Sequence, residues 1–223
     1  MAPFDSIEKN DEEIPEGEIE PALEEEATSD LKDLGLSWEQ LKGKKVLDIG
    51  AGPGVIAEVA KKKGIEVVSL DMNPEMWKNE GKQIFDVPYV KADAEKLPFI
   101  DNSFDVVISH AGPLTLGSSK EFIIEALREA KRILKPNGEI HFGPGNIAAD
   151  LFEENELFAQ GEQDKLTMEE RIARIGERSK EFLINSGFDV IQEDIKDGKQ
   201  DYPSNKYFVI KNSVEGVGDS KTK

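Results

Sequence analysis

The stretch VLDIGAGPG, Val46–Gly54, constrains the fold of this chain more than any other. Three glycines and a proline follow a short apolar run that is typical of a buried strand. A glycine inside a helix or a strand costs about 0.5–1 kcal/mol relative to alanine. The cluster therefore predicts a tight turn, or a backbone that a ligand must approach closely.

Apolar runs alternate along the chain with amphipathic helical patterns. The glycine turn leads into a predicted helix over residues 54–64, with apolar positions on one stripe and lysines near its end. Further helices are predicted at residues 34–43, 118–138 (serine cap, Pro-Asn-Gly stop) and 167–185 (Thr167 and Glu170 as a capping box). Seven strands are predicted at residues 44–50, 65–71, 87–93, 103–110, 138–143, 187–195 and 206–212. This alternation predicts an α/β fold with a mostly parallel sheet and helices on both faces.

Length and composition allow one such domain. The chain has 223 residues, 38% hydrophobic and 33% charged, which suffices for one core but not for two full α/β domains. We expect the domain to span residues 34–213 and residues 214–223 to be a frayed tail. No apolar run approaches the roughly 18 residues of a membrane span, and the amino terminus lacks a signal-peptide pattern. A cytoplasmic location without a membrane partner is therefore expected.

The absence of cysteine excludes several kinds of chemistry. Disulfides, thiolate metal sites and cysteine nucleophiles all require it, and the chain has none. No metal site is predicted.

Acidic residues concentrate at the amino terminus. Residues 1–33 hold 13 Asp and Glu against Lys9 and Lys32, a net charge of −11 out of −18 for the chain. Such a segment offers little apolar surface, so we expect residues 1–33 to be disordered or loosely attached. The alternative is an acidic arm that docks a basic partner or folds over a site. An acidic chain repels phosphates, so no nucleic-acid partner is expected.

The glycine spacing discriminates between nucleotide ligands. Parallel sheets bind ligands at the carboxyl ends of their strands, where glycines expose backbone and a helix N-terminus offers free N–H groups. A dinucleotide fingerprint reads G-x-G-x-x-G, whereas Gly50, Gly52 and Gly54 form G-x-G-x-G and Val55 occupies the last glycine position. Asp48 adds a carboxylate that would disfavour a pyrophosphate and suit a cationic ligand.

Four motifs in order resemble the class I S-adenosylmethionine-dependent methyltransferases. They read VLDIGAGPG, VVSLDMNPEM, VKADAEKLPFIDNSFDVVISH and ALREAKRILKPNGEIHF, and the third is especially similar to the ubiquinone and menaquinone biosynthesis branch. The resemblance covers roughly residues 34–212. It implies a Rossmann-like seven-stranded sheet whose last strand inserts antiparallel beside the fifth, and S-adenosylmethionine as the cofactor, with S-adenosylhomocysteine as product.

The resemblance also implies roles for individual residues. Asp71 would bind both ribose hydroxyls, unless it only caps the turn after the second strand. Met72 would pack on the adenine, unless it is ordinary hydrophobic filler. Asp93 and Ala94 would read the adenine edge, unless Asp93 is a helix cap. The methionyl part would lie near Asp48, Gly50, Ala51 and Gly52, and the methyl group near Ser109 and His110.

The remaining features bear on the acceptor. The segment after the fourth strand, SHAGPL, does not match the Asn/Asp-Pro-Pro-aromatic motif of exocyclic-amine and glutamine methylation, and a small-molecule acceptor is favoured. His110 is the best candidate for a general base, although a role in substrate shape is favoured; His141 is expected to be structural. Acceptor specificity would come from the region before Lys44, the loop after His110 and the insert after the fifth strand, where Phe152, Leu157 and Phe158 could form apolar walls or simply pack.

Three other functions remain open. The chain could bind S-adenosylmethionine without turnover, as a regulatory or scaffold protein, or it could methylate a basic protein. It could also be a nicotinamide-dependent oxidoreductase, which Val55, Asp48 and the lack of a Tyr-x-x-x-Lys pair disfavour.

Overall fold

A single sheet organises the part of the chain that the computed structural model describes, residues 21–74, 85–117, 119–143, 152, 163–194 and 206–212. Its seven strands are β1 Lys45–Ile49, β2 Glu66–Asp71, β3 Tyr89–Lys91, β4 Phe104–His110, β5 Leu134–Gly143, β6 Val190–Asp194 and β7 Lys206–Lys211. The helices are α1 Pro21–Asp33, α2 Trp38–Leu41, α3 Val55–Lys62, α4 Pro113–Leu116, α5 Lys120–Ile133 and α6 Met168–Asn185, with a 3₁₀ turn at Gln163–Lys165.

The strand order confirms the predicted architecture. The order is β3-β2-β1-β4-β5-β7-β6, with β1 to β5 parallel and β7 inserted antiparallel between β5 and β6. From β1 the chain adds strands toward one edge of the sheet (β2, then β3), and from β4 it adds them toward the other edge. The strand order therefore reverses between β1 and β4. A crevice therefore opens beyond the carboxyl ends of these two strands, where the glycine turn and His110 lie.

Alternating strand residues divide the core between the two faces of the sheet. Leu47 and Ile49 of β1 join a cluster with Leu127 of α5 and Leu183 of α6. Val46 of β1 joins a second cluster with residues of α1 and α3. By the same alternation, the even-numbered residues of β1 and β4, including Asp48 and His110, belong to the face that α1 and α3 cover.

Helix α1 is the largest difference from the sequence-based expectation. Residues 21–33 form a helix that packs on α3, with Ala27 and Leu31 buried and Leu23 partly buried. These apolar residues recur every four positions, so they share one helix face despite the many carboxylates around them. The indole of Trp38 also donates to Thr28, at 2.8 Å. Residues 21–33 therefore match the alternative expectation, an acidic arm that folds over the rest of the domain. Residues 1–20 lie outside the described residues.

Helix ends follow the predicted caps in most places. The Ser119 side chain accepts from the Phe122 amide, and Thr167 and Glu170 form a reciprocal capping box. The predicted Pro-Asn-Gly helix stop was misplaced: α5 ends at Ile133, and those residues lie within β5, where Asn137 adopts a φ of 64°. The tail predicted at residues 214–223 lies outside the described residues. None of the described helices combines the length and the apolar character that crossing a membrane requires.

Candidate functional site

The glycine turn after β1 is a left-handed backbone fixed by its neighbours. Gly50, Gly52 and Gly54 have φ values of 78°, 56° and 89°, which side chains with a Cβ rarely adopt. The amides of Gly50 and Ala51 both donate to the Leu70 carbonyl, at 2.7 and 3.0 Å. A Cβ at position 50 would lie 2.5 Å from Cδ of Pro113, so the loop after β4 also needs this glycine.

Asp71 at the end of β2 holds the turn in place. Its Oδ2 accepts from the Gly52 amide at 3.2 Å, and its Oδ1 accepts from the Asn73 amide at 2.8 Å. The Tyr89 hydroxyl donates to the Gly52 carbonyl at 2.7 Å. The bond to Asn73 is the turn cap that sequence analysis considered as an alternative. A carboxylate has about four acceptor positions, so the two bonds leave capacity for a ligand.

Asp48 is a buried carboxyl group facing a cavity. Its side chain is 2% exposed, and it accepts no hydrogen bond from the residues that the structure describes. Burial is the largest cause that raises the pKa of Asp48 to about 8, and the nearby charges of Asp30 and Asp71 contribute in the same direction. A buried carboxylate is unfavourable without a partner, so this position favours a cation.

The cavity lies between the glycine turn and helix α1. It has a volume of about 600 Å³ and is lined by Leu23, Glu26, Asp30, Asp48, Gly50, Ala51, Gly52, Pro53, Val55, Ile56, Phe85, His110 and Ala111. Five of the ten residues predicted for the site, Asp48, Gly50, Ala51, Gly52 and His110, thus come together in one cavity.

His110 lies between two carboxylates of α1. Its Nε2 is 3.3 Å from Oδ2 of Asp33, and its Nδ1 is 3.7 Å from Oδ1 of Asp30. The side chain is only 14% exposed, and Ala111 after it has a strained φ of 45°. The imidazole is therefore oriented by α1, as a proton acceptor or a shape-determining residue would need to be.

The other predicted residues lie outside this cavity. Ser109 faces the α5 side of the sheet, and its buried hydroxyl has no hydrogen-bond partner within the described part of the chain. Met72 is 63% exposed beyond β2. Asp93 accepts from the Glu95 amide at 3.0 Å, the cap considered as its alternative role, and Ala94 is buried beside it. The ends of β2 and β3, which carry Met72 and Asp93, are adjacent in the sheet.

Two further expectations concern residues away from the glycine turn. His141 is buried, and its Nδ1 lies 3.0 Å from the Leu34 carbonyl, as expected of a structural histidine. Burial lowers the pKa of His141. Phe152 lines a separate cavity with Lys120 and Phe182, so it forms no wall at the glycine turn. Leu157 and Phe158 lie outside the described residues.

Sequence reasoning missed the residues that α1 and β3 contribute. Glu26, Asp30 and Asp33 were assigned to a solvated tail, and Tyr89 was given no role. The four-residue spacing of Leu23, Ala27 and Leu31 was the available signal for α1.

Comparison with known proteins identifies the domain. Residues 47–142 match a family described as "Methyltransferase domain". This chain carries a class I S-adenosylmethionine-dependent methyltransferase domain. The methyltransferase domain is 31% identical over 145 residues to a demethylmenaquinone methyltransferase of Renibacterium salmoninarum, covering 60% of each protein. It is 41% identical over 108 residues to a ubiquinone/menaquinone biosynthesis C-methyltransferase of Idiomarina loihiensis, covering 44% of this chain and 41% of that protein.

The chain spans less than two thirds of the length of these two relatives. A solved S-adenosylmethionine-dependent methyltransferase from Methanosarcina mazei shares the fold of the methyltransferase domain. It has a TM-score of 0.51 and 20% identity, covering 77% of this chain and 93% of that one.

The residues present fit S-adenosylmethionine, the cofactor of this family. The buried, unpartnered Asp48 calls for a positive charge, which the cofactor carries on its ammonium and sulfonium groups. Asp71 retains acceptor capacity for hydroxyl groups, and the positive φ values of the turn leave backbone open toward the cavity.

Substitution of Asp48 by asparagine tests the burial of its carboxyl group through the pH dependence of stability. The folded pKa of about 8 exceeds the ordinary 3.8, so between these values the folded chain binds more protons than the unfolded chain. The contribution of Asp48 to stability therefore falls as pH rises from about 4 to about 8. A pKa difference of one is about 1.4 kcal/mol, or roughly 3–6 °C in Tm for a chain of this size.

We expect the Tm of Asp48→Asn, relative to wild type, to rise by at least about 3 °C between pH 5 and pH 8 in thermal melts without ligand. Asp86→Asn, which removes an exposed carboxyl group, is the control and should give no such rise. Parallel pH profiles for wild type and Asp48→Asn would contradict the assignment.

Proposed function

We propose that this chain transfers the methyl group of S-adenosylmethionine to a small-molecule acceptor. The observation that supports this most is the buried carboxyl group of Asp48, which faces a cavity beside the left-handed glycine turn. A dinucleotide would bring a pyrophosphate to this position, where a carboxylate repels it. The cofactor supplies, when bound, a methyl group on a sulfonium sulfur that an acceptor atom can displace in line.

The residues of the domain would bind and orient the cofactor. Asp71 would accept hydrogen bonds from the ribose hydroxyls, while Asp48 and the turn of Gly50, Ala51 and Gly52 would hold the methionyl part. Met72, Asp93 and Ala94 would form the adenine end, beyond the adjacent ends of β2 and β3. For Ser109 the contribution would be its backbone, since its side chain faces away from the cavity.

The acceptor side would be completed by His110 and helix α1. Transfer from a sulfonium needs mainly positioning and exclusion of water, and α1 covers the cavity. His110 would hold the acceptor, and would take its proton where the reacting atom has one to lose.

The names of the relatives suggest one class of acceptor. Two of them are named for methylation of demethylmenaquinone or in ubiquinone and menaquinone biosynthesis. The family match ends at residue 142 and begins at residue 47, so it excludes α1. These names therefore support a small organic acceptor.

Calorimetric titration of the full chain tests the proposal. S-adenosylmethionine and, separately, NAD are titrated into wild type, Asp71→Ala and the control Asp86→Ala. Loss of hydrogen bonds to a charged acceptor costs about 1.5–3 kcal/mol, so Asp71→Ala should bind S-adenosylmethionine about ten-fold more weakly or worse. The control should bind as wild type does.

Turnover is then measured as S-adenosylhomocysteine formed with a panel of small molecules. A folded wild type that binds NAD, or that binds neither ligand, would refute the proposal. Tight binding of S-adenosylmethionine without turnover on small molecules or basic proteins would favour a non-catalytic regulatory or scaffold protein.

A further inference from the structure

The segment of residues 85–88, which precedes β3, packs against the second half of the glycine turn. The Phe85 amide donates to the Pro53 carbonyl at 3.1 Å. Cγ2 of Val87 lies 3.1 Å from the position that a Cβ on Gly54 would occupy, so the segment and the backbone of the turn are in close contact. The turn is therefore supported by residues that are distant from it in sequence.

Tyr89, the first residue of β3, extends this support to Gly52. Its hydroxyl donates to the Gly52 carbonyl at 2.7 Å, across a separation of 37 positions. Because β2 separates β3 from β1 in the sheet, the side chain of Tyr89 must cross β2 to reach the turn. The pairing of β3 with β2 is made by main-chain atoms, so the strand itself does not need this hydroxyl.

The environment of Tyr89 keeps its hydroxyl group a hydrogen-bond donor. Burial is the largest cause that raises the pKa of the Tyr89 phenol, and the charges of Asp71 and Asp48 contribute in the same direction. The phenol therefore keeps its proton at neutral pH, as donation to a carbonyl oxygen requires. Phenylalanine at this position would remove the donor from the Gly52 carbonyl.

Gly52 is held at both polar atoms of its backbone. Its amide donates to Oδ2 of Asp71 at 3.2 Å, and its carbonyl accepts from Tyr89. Gly52 has a φ of 56° and no side chain, so its own covalent structure restricts its rotation little. The bonds from β2 and β3 supply that restriction, and they connect the Asp71 carboxylate to Tyr89 through a single residue.

We propose that Tyr89 is a positioning residue for S-adenosylmethionine, which fixes Gly52 in the conformation that holds the methionyl part and orients Asp71 toward the ribose. This rests on the proposed function. Gly52 lines the cavity at the glycine turn and Tyr89 does not, so the hydroxyl acts through the turn and not on the ligand itself. A binding surface that is fixed before the ligand arrives loses less conformational freedom on binding.

Tyr89→Phe removes the hydroxyl, keeps the ring and so tests the proposal. The full chain, as wild type and as this variant, is titrated calorimetrically with S-adenosylhomocysteine. We expect the variant to bind about two- to ten-fold more weakly, the range for the loss of one hydrogen bond. A merely structural hydroxyl would lower the midpoint of urea unfolding and leave the affinity of the folded chain unchanged, and that result would overturn the proposal.

Tyr207→Phe is the matched control, because it makes the same chemical change in β7. Tyr207 is buried, packs with Val209 and does not line the cavity at the glycine turn. This variant should therefore bind S-adenosylhomocysteine as wild type does. Equal losses of affinity in the two variants would overturn the proposal, since the effect would then not depend on contact with the turn.

The amide of Gly52 gives a second measurement, which needs no ligand. The chain contains two Ala-Gly pairs, Ala51–Gly52 and Ala111–Gly112. Labelling with carbonyl-¹³C alanine and ¹⁵N glycine therefore isolates two amide signals by NMR, and Ala111→Ser removes the signal of Gly112. We expect the Gly52 amide to exchange with solvent about two- to ten-fold faster in Tyr89→Phe than in wild type. Unchanged exchange would overturn the route through Gly52.

Failure of this proposal is distinguishable from failure of the proposed function. A wild-type chain that binds no S-adenosylhomocysteine would refute the cofactor site and, with it, the role of Tyr89. A wild-type chain that binds this ligand, with the same affinity in Tyr89→Phe, would refute the role of Tyr89 alone and leave the proposed function standing.

Discussion

Replacing Gly50 with alanine is expected to lower the free energy of unfolding by about 2–5 kcal/mol. A left-handed conformation costs an alanine about 1–2 kcal/mol, and overpacking adds about 1–3 kcal/mol. Both apply here, because Gly50 has a φ of 78° and its new Cβ would lie 2.5 Å from Cδ of Pro113. Relief of that contact must move the loop after β4, so binding of S-adenosylmethionine should weaken as well.

Gly64→Ala is the matched control for the Gly50 substitution. Gly64 has a φ of 69°, but nothing lies within 4 Å of the added Cβ, so only the backbone term applies. Urea unfolding should place Gly64→Ala about 1–2 kcal/mol below wild type, with normal ligand affinity by calorimetry. Equal losses of stability in the two variants would mean that Pro113 does not constrain the turn.

Replacing Leu31 with alanine is expected to cost about 2–5 kcal/mol of stability, since a truncated leucine leaves a cavity in the core. Leu31 is 1% exposed and belongs to the cluster that joins α1 to α3 and β4. The substitution therefore tests whether α1 is part of the folded domain. Urea unfolding, followed by circular dichroism, measures the change.

Leu116→Ala makes the same chemical change at a side chain that is 64% exposed. It should alter stability by no more than about 0.5 kcal/mol. A similarly small effect of Leu31→Ala would contradict the packing of α1 against α3 and β4.

Most helices and strands of the domain could be predicted because the sequence patterns that specify them are local. The buried run before Gly50, the cap at Ser119 and the capping box at Thr167 each act within a few residues, and all three appear in the structure. Helix α1 could not be predicted as readily, since its acidic composition is typical of a disordered segment. Ala27 and Leu31 are buried by packing against α3, which is distant from them in sequence.

The candidate site likewise contains parts formed by residues close in sequence and parts formed by residues distant in sequence. The spacing around Gly50 predicted a tight turn, which the structure contains because residues close in sequence form it. The binding of the cofactor by this turn and by Asp71 stays a prediction. The pairing of His110 with Asp33 joins residues 77 positions apart, and no local pattern contains it. The separation of Ser109 from the cavity follows from strand alternation, which places Ser109 and His110 on opposite faces of the sheet.

The contacts of helix α1 also constrain the order in which parts of the domain can fold. This helix is synthesised before every partner it packs against, yet its apolar face needs α3 and its carboxylates need His110 at the end of β4. Packing of α1 on α3 therefore becomes possible once residue 62 is present, whereas the pairing of Asp30 and Asp33 with His110 requires β4, because non-local contacts form only after the intervening loop closes. The cavity is thus complete only when both α1 and β4 are in place.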